Sequence, residues 1–488
     1  MQKKVKTKFG LSMVALSLGF APALAHADTN AQILKELKAL QAQVEQLQAK
    51  VQAQDAQLKA QDATVQAQGA TLKAQQGQVA GAAAAADDAS TQADHNAVQI
   101  TGLKGAAKRT GMDGMTVTGM IAPAYVYNQD RQTSSFVFLN RSNASAGGAT
   151  IYNYDNSSFG MANIQFQKVM SDGTKWTLNL VPDRGAGSVM NGSSIINEAS
   201  VSMPINGDSD TRFIAGQIPD WEGYEYVFDN QTYAVTHNLL YDFTELTAYT
   251  GAGVDVTNGN LEWKALLANV NSPRYYYNNA GIGGRAPALV ARFDYSLPGY
   301  DSAGVGGWAL VGKLPNSSTA VPNGASTATM AELDTYLNKG AWGWYGQIGY
   351  GKQAQAAYNG GDAKWWGASA TATYNFTPRL LGFARADYLN DSTNGGGLPG
   401  GWLYQFADSV NGLGPDQNCL AAGNTNCSGV NRYALSVGTD YQISKSTKLK
   451  LEYRYDGANG AVFQKGPDSN PTYVKNNSLI AAGLAVNF

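Results

Sequence analysis

From Met115 to Phe488 apolar side chains recur at every second position in runs of about ten residues, the spacing that lays one stripe along one face of a β-strand. The clearest run is residues 448–456, Lys-Leu-Lys-Leu-Glu-Tyr-Arg-Tyr-Asp, where every even position carries charge and every odd one is aliphatic or aromatic. The chain also ends in such a run: Ile480, Ala482, Leu484, Val486 and Phe488 share one face, so an aromatic ring is the last side chain. Upstream the period changes to seven. Leu37, Val44, Val51, Leu58, Val65, Leu72 and Val79 occupy one helical position, continued by Ala86, Ala93 and Ile100, which predicts a long coiled coil. Its second core position reads Ile33, Leu40 and Leu47, then Gln54, Gln61, Gln68 and Gln75, a seam that turns polar halfway and needs a partner helix to bury it. The competing reading of residues 69–103 is a Gln/Ala-rich linker.

Two periods imply two segments, and the first residues add a third. Lys3, Lys4, Lys6 and Lys8 precede an apolar run from Leu11 to Leu24, and Ala25-His26-Ala27 offers small residues for cleavage. Residues 1–27 are therefore expected to be a signal peptide, 28–105 a periplasmic coiled coil and 112–488 the strand-rich part. Removing the leader takes four lysines and no acid, so the formal charge of −2 becomes about −6, a balance that invites no nucleic acid. No later run reaches the roughly 20 apolar residues that a membrane helix requires.

Turn chemistry divides the strand-rich part unevenly. Residues 171–173, 206–208, 297–299, 376–378 and 444–446 read as short connections. Segments 128–150, 184–194, 220–232, 271–287, 315–340, 353–363 and 390–429 are rich in Gly, Asn, Ser and Asp and read as long ones. That asymmetry, with strands apolar on one face, predicts an all-β transmembrane antiparallel barrel preceded by an α-helical coiled coil. Composition agrees: charged residues are 15%, Gly is 55, and 26 Tyr with 9 Trp exceed 15 Phe, as expected when half of each strand faces water and amphipathic rings gather at the interfaces. At about 23 residues per strand and connection the count is about 16, with 14 or 18 as the alternatives. A large secreted β-sandwich is the soluble alternative.

Candidate chemistry follows from strand parity. Arg292 and Asp294, Arg385 and Asp387, Arg454 and Asp456 repeat an Arg-x-Asp pair on one strand face, and Lys450 and Glu452 share the last of these faces. A basic residue at the bilayer midplane costs about 2–4 kcal/mol, so these eight are expected to face inward and line a hydrated pore. Asp220, Glu222 and Glu225 form a carboxylate cluster on a predicted loop, suited to narrowing a pore or favouring cations, or else simply solvated. Cys419 and Cys427, in a Gly/Asn-rich stretch of an exported chain, suit a disulfide, and with no His nearby they make a poor zinc site. Beyond the leader only His95 and His237 remain, so a hydrolase triad would rest on His237 alone, and no phosphate loop or Cys-x-x-Cys is present. No enzyme chemistry, metal or cofactor is expected.

The stretch Ala215-Gly216-Gln217-Ile218-Pro219-Asp220-Trp221-Glu222-Gly223-Tyr224-Glu225-Tyr226, followed by Asn230, Thr236 and Thr250-Gly251, resembles a signature of β-barrel porin families of Gram-negative bacteria. The leader, the heptads and the terminal Phe488 extend the likeness, since some trimeric porins resemble this chain in carrying an N-terminal periplasmic coiled coil. The residues after Gly-Tyr-Glu depart from the family's usual apolar context. The resemblance implies a passive outer-membrane channel for small hydrophilic or anionic solutes, a homo-oligomer and most simply a trimer, with its N-terminal segment in the periplasm. Ile480, Leu484, Val486 and Phe488 would then be the signal read by the barrel assembly machinery. The alternative is a structural envelope tether, in which a plugged barrel anchors a coiled coil that reaches the cell wall.

Overall fold

The computed structural model describes residues 34–73, 75, 114–130, 132–138, 141–142, 160–182, 195–246, 248–271, 287–300, 302–316, 321, 324–398, 415–466 and 470–488. The chain divides into two compact units, residues 1–105 and 106–488. The expected leader and the heptads past residue 75 lie outside the described residues. In the first unit residues 34–73 form one helix, α1. Its heptad residues Leu37, Leu40, Val44, Leu47, Val51, Leu58, Val65 and Leu72 are each 48–65% exposed. A stripe this open gives a lone helix no packing energy, and packing is what stabilises most helices in water.

The second unit is a closed antiparallel barrel of 16 strands. Its first stave is β1 (Met115–Ala122), which continues past Pro123 into β2 (Ala124–Asn128). β3 (Thr133–Phe138) and β4 (Arg141–Ser142) extend the edge of β2 beyond the wall. Around the wall follow β5 (Met161–Val169), β6 (Lys175–Leu180), β7 (Ile196–Ile205), β8 (Asp208–Pro219), β9 (Ala248–Asn258), β10 (Leu261–Asn271), β11 (Ala288–Ser296) and β12 (Ser302–Pro315). The remaining staves are β13 (Ala325–Lys339), β14 (Trp342–Gln353), β15 (Ala363–Thr377), β16 (Leu380–Asn390), β17 (Arg432–Ser444) and β18 (Thr447–Ala458). After a small ribbon of β19 (Phe463–Lys465) and β20 (Thr472–Val474), β21 (Asn476–Asn487) closes the circle. It pairs with β18 on one side, Tyr453 opposite Ile480, and with the first stave on the other, Ile121 opposite Val486 and Val126 opposite Ala481. Among the described residues each of the 16 staves is paired on both sides, which is the condition for strands to survive in hydrocarbon.

The chain's last residue completes the closure. Phe488 and Gly119 exchange both backbone hydrogen bonds, each 3.0 Å, and the Phe488 ring lies where a side chain at 119 would be, so that glycine leaves room for the ring. Among the described residues seven connections are short, at 170–174, 206–207, 259–260, 297–301, 340–341, 378–379 and 445–446, and all fall at one end. Asn206 and Gly207, both left-handed at φ 55° and 77°, make the tight two-residue hairpin that such pairs favour. Long connections occupy the other end.

Parity separates the two faces as expected. Val117, Leu267, Leu289, Val311, Leu333, Ile348, Leu435, Val437, Leu451 and Ile480 point outward and are 44–60% exposed, an apolar belt. Rings border it: Trp342 stacks on Trp344 and meets Tyr374 towards the short turns, and Trp366 meets Tyr388 towards the long connections. Amphipathic rings at both levels are what two membrane interfaces select.

Several expected boundaries move. Residues 315–340, read as a long loop, are mostly the 15-residue strand β13, and only 316–324 connect it to β12. Its Ala, Ser and Thr positions resemble a loop in composition, but Met330, Glu332 and Asp334 alternate inward while Ala331 and Leu333 alternate outward. The turn expected at 376–378 sits at 378–379, and the turns at 259–260 and 340–341 were not anticipated. The connection expected over 220–232 runs from 220 to 247, and that over 390–429 contains a short helix, α3 (Gln417–Ala421).

Candidate functional site

The connection between β8 and β9 enters the barrel rather than leaving it. Its residues 220–246 contact inward-facing side chains on both sides of the lumen. Arg292 Nη1 donates to the Trp221 carbonyl at 2.6 Å, and the Tyr224 hydroxyl meets Ser369 Oγ at 2.7 Å and Thr371 Oγ1 at 2.8 Å. Val227 and Phe228 reach the other wall, where they pack on Met120, Ala122, Met161 and Ala485. The segment then returns towards β16 and β18.

Its return is held by charge. Glu452 Oε2 accepts from the N–H groups of Val235 and Thr236, both at 2.8 Å, and Oε1 accepts from Thr236 Oγ1 at 2.7 Å. Arg385 donates to the carbonyls of Thr236 and His237 at 2.8 and 2.9 Å, and Arg454 Nη1 donates to the same His237 carbonyl at 2.5 Å. Lys450 Nζ donates to Thr232 Oγ1 at 2.8 Å and to the Ala234 carbonyl at 3.1 Å. A segment without a ladder of its own must find partners for these backbone groups elsewhere, and hydrogen bonds to charged groups are the strong kind.

A short helix, α2 (Leu239–Phe243), follows at once. Asn238 caps it, its side chain accepting from Tyr241 N at 2.9 Å. Leu239, Leu240 and Phe243 are fully buried, and Leu239 and Phe243 belong to an apolar cluster with Leu266, Trp308, Leu310, Trp365 and Leu389 of the inner wall. Leu240 lies over two inward glycines of the wall: a Cβ added at Gly349 or Gly367 would come within 3.3 or 3.1 Å of it. Each such side chain contributes about 1.5–3 kcal/mol by burial.

Between the segment's two ends lies an acidic knot. Glu222 Oε1 accepts from Leu246 N and from the Tyr249 hydroxyl, both at 3.1 Å, while Glu245 Oε1 accepts from Gln347 Nε2 at 2.5 Å. Burial pushes the Glu222 carboxyl well above its usual range, with the charges of Asp220 and Glu332 adding to the shift. Glu245 is pushed up in the same way, by burial first and then by Glu332, Asp220 and Glu222. Among the described residues no group of three or more His, Cys, Asp or Glu side chains is arranged to hold a metal ion.

A family model described as "Protein of unknown function (DUF3138)" matches residues 5–488. The chain belongs to the DUF3138 family. The DUF3138 chain matches no curated protein. Solved structures similar to it include the trimer form of OmpT from Vibrio cholerae, at 11% identity and a TM-score of 0.46, covering 77% of this chain and 100% of that one. The outer membrane channel DcaP of Acinetobacter baumannii is similar at 11% identity and 0.44, covering 77% and 97%. An anion-selective porin from Comamonas acidovorans is similar at 12% identity and 0.44, covering 77% and 99%.

In this DUF3138 barrel the eight charged residues expected on the wall occupy inward positions, and each Arg-x-Asp pair closes on itself. Arg292 meets Asp294 at 2.6 Å, Arg385 Nε meets Asp387 at 3.3 Å, and Arg454 Nε meets Asp456 at 2.8 Å. Six of the eight, Arg385, Asp387, Lys450, Glu452, Arg454 and Asp456, are buried at 0–4% exposure, and Arg385, Lys450, Glu452 and Arg454 bond residues 220–246 directly. Arg292 is bound on its other side by Asp334 at 2.8 Å, and Asp294 keeps 37% of its side chain open. The segment's own carboxylates are not a solvated face either: Glu222 is buried, and Glu225 bridges Arg385 at 2.8 Å. Asp220 stays half-buried.

Cys419 and Cys427 are joined by a disulfide, beside α3. Ile480 and Phe488 point outward and are 51% and 62% exposed, with Leu484 and Val486 half-buried on the same side. Sequence reading missed Gln347, Glu332 and Glu245. For Glu332 the signal was present in the alternation of β13, hidden by reading that stretch as a loop.

Proposed function

We propose that this DUF3138 chain is an outer-membrane porin of a Gram-negative bacterium, a passive diffusion channel for small hydrophilic solutes. The observation that carries this reading is the wall itself, closed on every edge, apolar outward and polar inward, the arrangement a water-filled passage through lipid requires. A channel of this kind needs a wet, shaped hole and no bond chemistry. Helix α1 would stay in the periplasm, and its exposed heptad stripe supports self-association, most simply as a trimer. The outward face of Ile480, Leu484, Val486 and Phe488 would serve the barrel assembly machinery as its recognition strand. Planar-bilayer recording tests the proposal: stepwise single-channel openings are expected, and their absence from folded, heat-resistant protein refutes it.

One observation favours the tether reading as well. Residues 220–246 touch opposite walls, as a plug would. A silent bilayer record would leave the barrel as an anchor for α1.

A further inference from the structure

An oblique groove crosses the outer face of the wall. Ala265, Ala291, Ala309 and Ala331 stand side by side on β10 to β13, and Tyr350 and Trp366 continue their row on β14 and β15. The neighbouring outward row runs through Trp263, Phe293, Gly307, Leu333, Ile348 and Ala368. Small side chains among bulky ones leave an open apolar groove of about 860 Å³. One end, Trp263, lies near the short turn at 259–260, and the other, Trp366, lies near the long-connection end of β15. The groove therefore slopes from one aromatic girdle towards the other, through the depth that acyl chains occupy.

Beyond Tyr350 and Trp366 the same face turns basic. Lys352 of β14 and Lys364 of β15 are direct cross-strand partners. Lys313 of β12 lies opposite Thr327, and Lys352 lies opposite Thr329, so two exposed hydroxyls of β13 stand between these lysines. Like charges directly opposite each other on a sheet repel. Of the three lysines only Lys352 has an ion-pair partner among the described residues, Asp362 at 2.9 Å. The outward faces of β12 to β15 hold no acid, so three ammonium groups meet one carboxylate and the rim is short of negative charge.

We propose that this rim and groove hold an outer-leaflet glycolipid, a phosphorylated sugar bearing several acyl chains, which is the chemistry of lipid A. The ammonium groups of Lys313, Lys352 and Lys364 and the hydroxyls of Thr327 and Thr329 donate to its phosphates, and charge-assisted bonds are the strong kind. Lysine stems lie along apolar surface while their heads stay at the wet interface, the level of the phosphates. The acyl chains fill the groove over the four alanines. A second copy of this chain is the other body that covers an apolar face, but it would bury the lysines, and interface cores exclude that residue. This inference goes beyond the channel reading, since it needs only a wall that spans the outer membrane with its long connections outward.

Native mass spectrometry of the full chain in detergent tests this, with lipid A carrying both phosphates as the probe. The controls are the same lipid stripped of phosphate and phosphatidylglycerol. A single lipid A per chain is expected to bind, ahead of both controls. Lys313→Gln with Lys364→Gln should weaken it about 25-fold, at about fivefold for each lysine beside an anionic headgroup. Ala309→Phe with Ala331→Phe, at exposed positions, should fill the groove and displace the lipid while the lysines remain, and retained heat-modifiability confirms folded variants. Phosphatidylglycerol binding as tightly overturns the lipid class. Binding unchanged by the lysine pair overturns the headgroup site, and binding unchanged by the alanine pair overturns the acyl seat. Loss of cross-linked oligomers instead of lipid from the alanine pair gives the groove to a second copy and overturns the lipid. Because binding is read in detergent, a failure here leaves the porin reading standing, and a silent bilayer record refutes that reading without touching this one.

Discussion

Replacing Glu452 by Ala should undo one anchor of the inward segment and leave the other in place. The substitution removes an acceptor held at 2.7–2.8 Å by Val235 N, Thr236 N and Thr236 Oγ1. It also leaves Arg385 and Arg454 with less opposing charge in a fully buried site. Breaking a buried, hydrogen-bonded charge arrangement costs about 3–5 kcal/mol. Against it stand the three buried side chains of α2, Leu239, Leu240 and Phe243, worth about 5–9 kcal/mol together at 1.5–3 each. The apolar anchor is at least as strong, so α2 should remain seated while residues 232–237 open. Hydrogen exchange of the detergent-solubilised protein reads this directly. The amides of Val235 and Thr236 should exchange between about a hundredfold and several thousandfold faster, at 1.36 kcal/mol per tenfold. Amides of α2 and of the wall strands should change little, and Glu262→Ala, in a partly open pair, should change neither. Unchanged exchange at 235 and 236 would show that Glu452 is not an anchor. Equal loosening of α2 would show that the segment docks as one unit.

Other consequences are as direct. Glu222 and Glu245 have carboxyls raised above 4.5 by burial and neighbouring acids, so their protonated forms favour docking; the gain is complete below about 4.5 and lost as pH rises through the raised values. Exchange protection of residues 220–246, corrected for intrinsic rates, should therefore increase from pH 8 to pH 5, and Glu245→Gln should flatten part of that slope; a profile independent of pH refutes the assignment. Cys419→Ser with Cys427→Ser opens a loop of separation 8, worth about 2.5 kcal/mol by chain entropy. It should expose residues 415–431 to limited proteolysis without changing the heat resistance of the barrel. Val44→Glu with Leu47→Glu places charge on the open stripe of α1, and chemical cross-linking of the full chain should then yield fewer oligomers.

Parity was the legible part of this fold. Residues 448–456 alternate between the outer face of the wall and its lumen, so their two faces share no chemistry, and the sequence alternates without a fault. β13 was illegible because its Ala, Ser and Thr residues fit either face. What makes it a strand is pairing with β12 from Ser302–Asn338 to Pro315–Ala325, and with β14, which no local window contains. The inward position of Arg385, Glu452 and Arg454 could be read from spacing, yet their burial could not. Their partners lie far off along the chain, Glu225 at a separation of 160 from Arg385 and Thr236 at 216 from Glu452. Glu222 and Glu225 stood out as carboxylates, but nothing local distinguishes an acid meant for water from one meant for a distant arginine.

The placement of charge on the wall then has a physical cause in the segment. Barrel strands satisfy their own backbones through the closed ladder, so the inner wall demands nothing of its side chains. Residues 220–238 have no ladder, and the N–H groups of Val235 and Thr236 and the carbonyls of Trp221, Thr236 and His237 must be satisfied inside the lumen. Only long side chains can span from wall to segment, and ionised ones make the stronger bonds. Arginine supplies several donors in a fixed fork, suited to adjacent carbonyls, and glutamate supplies two acceptors for adjacent N–H groups. Where residues 232–237 dock, the wall is therefore charged. Where the segment offers side chains instead of bare backbone, as Val227 and Phe228 do to Met120, Ala122, Met161 and Ala485, the wall is apolar and needs no charge.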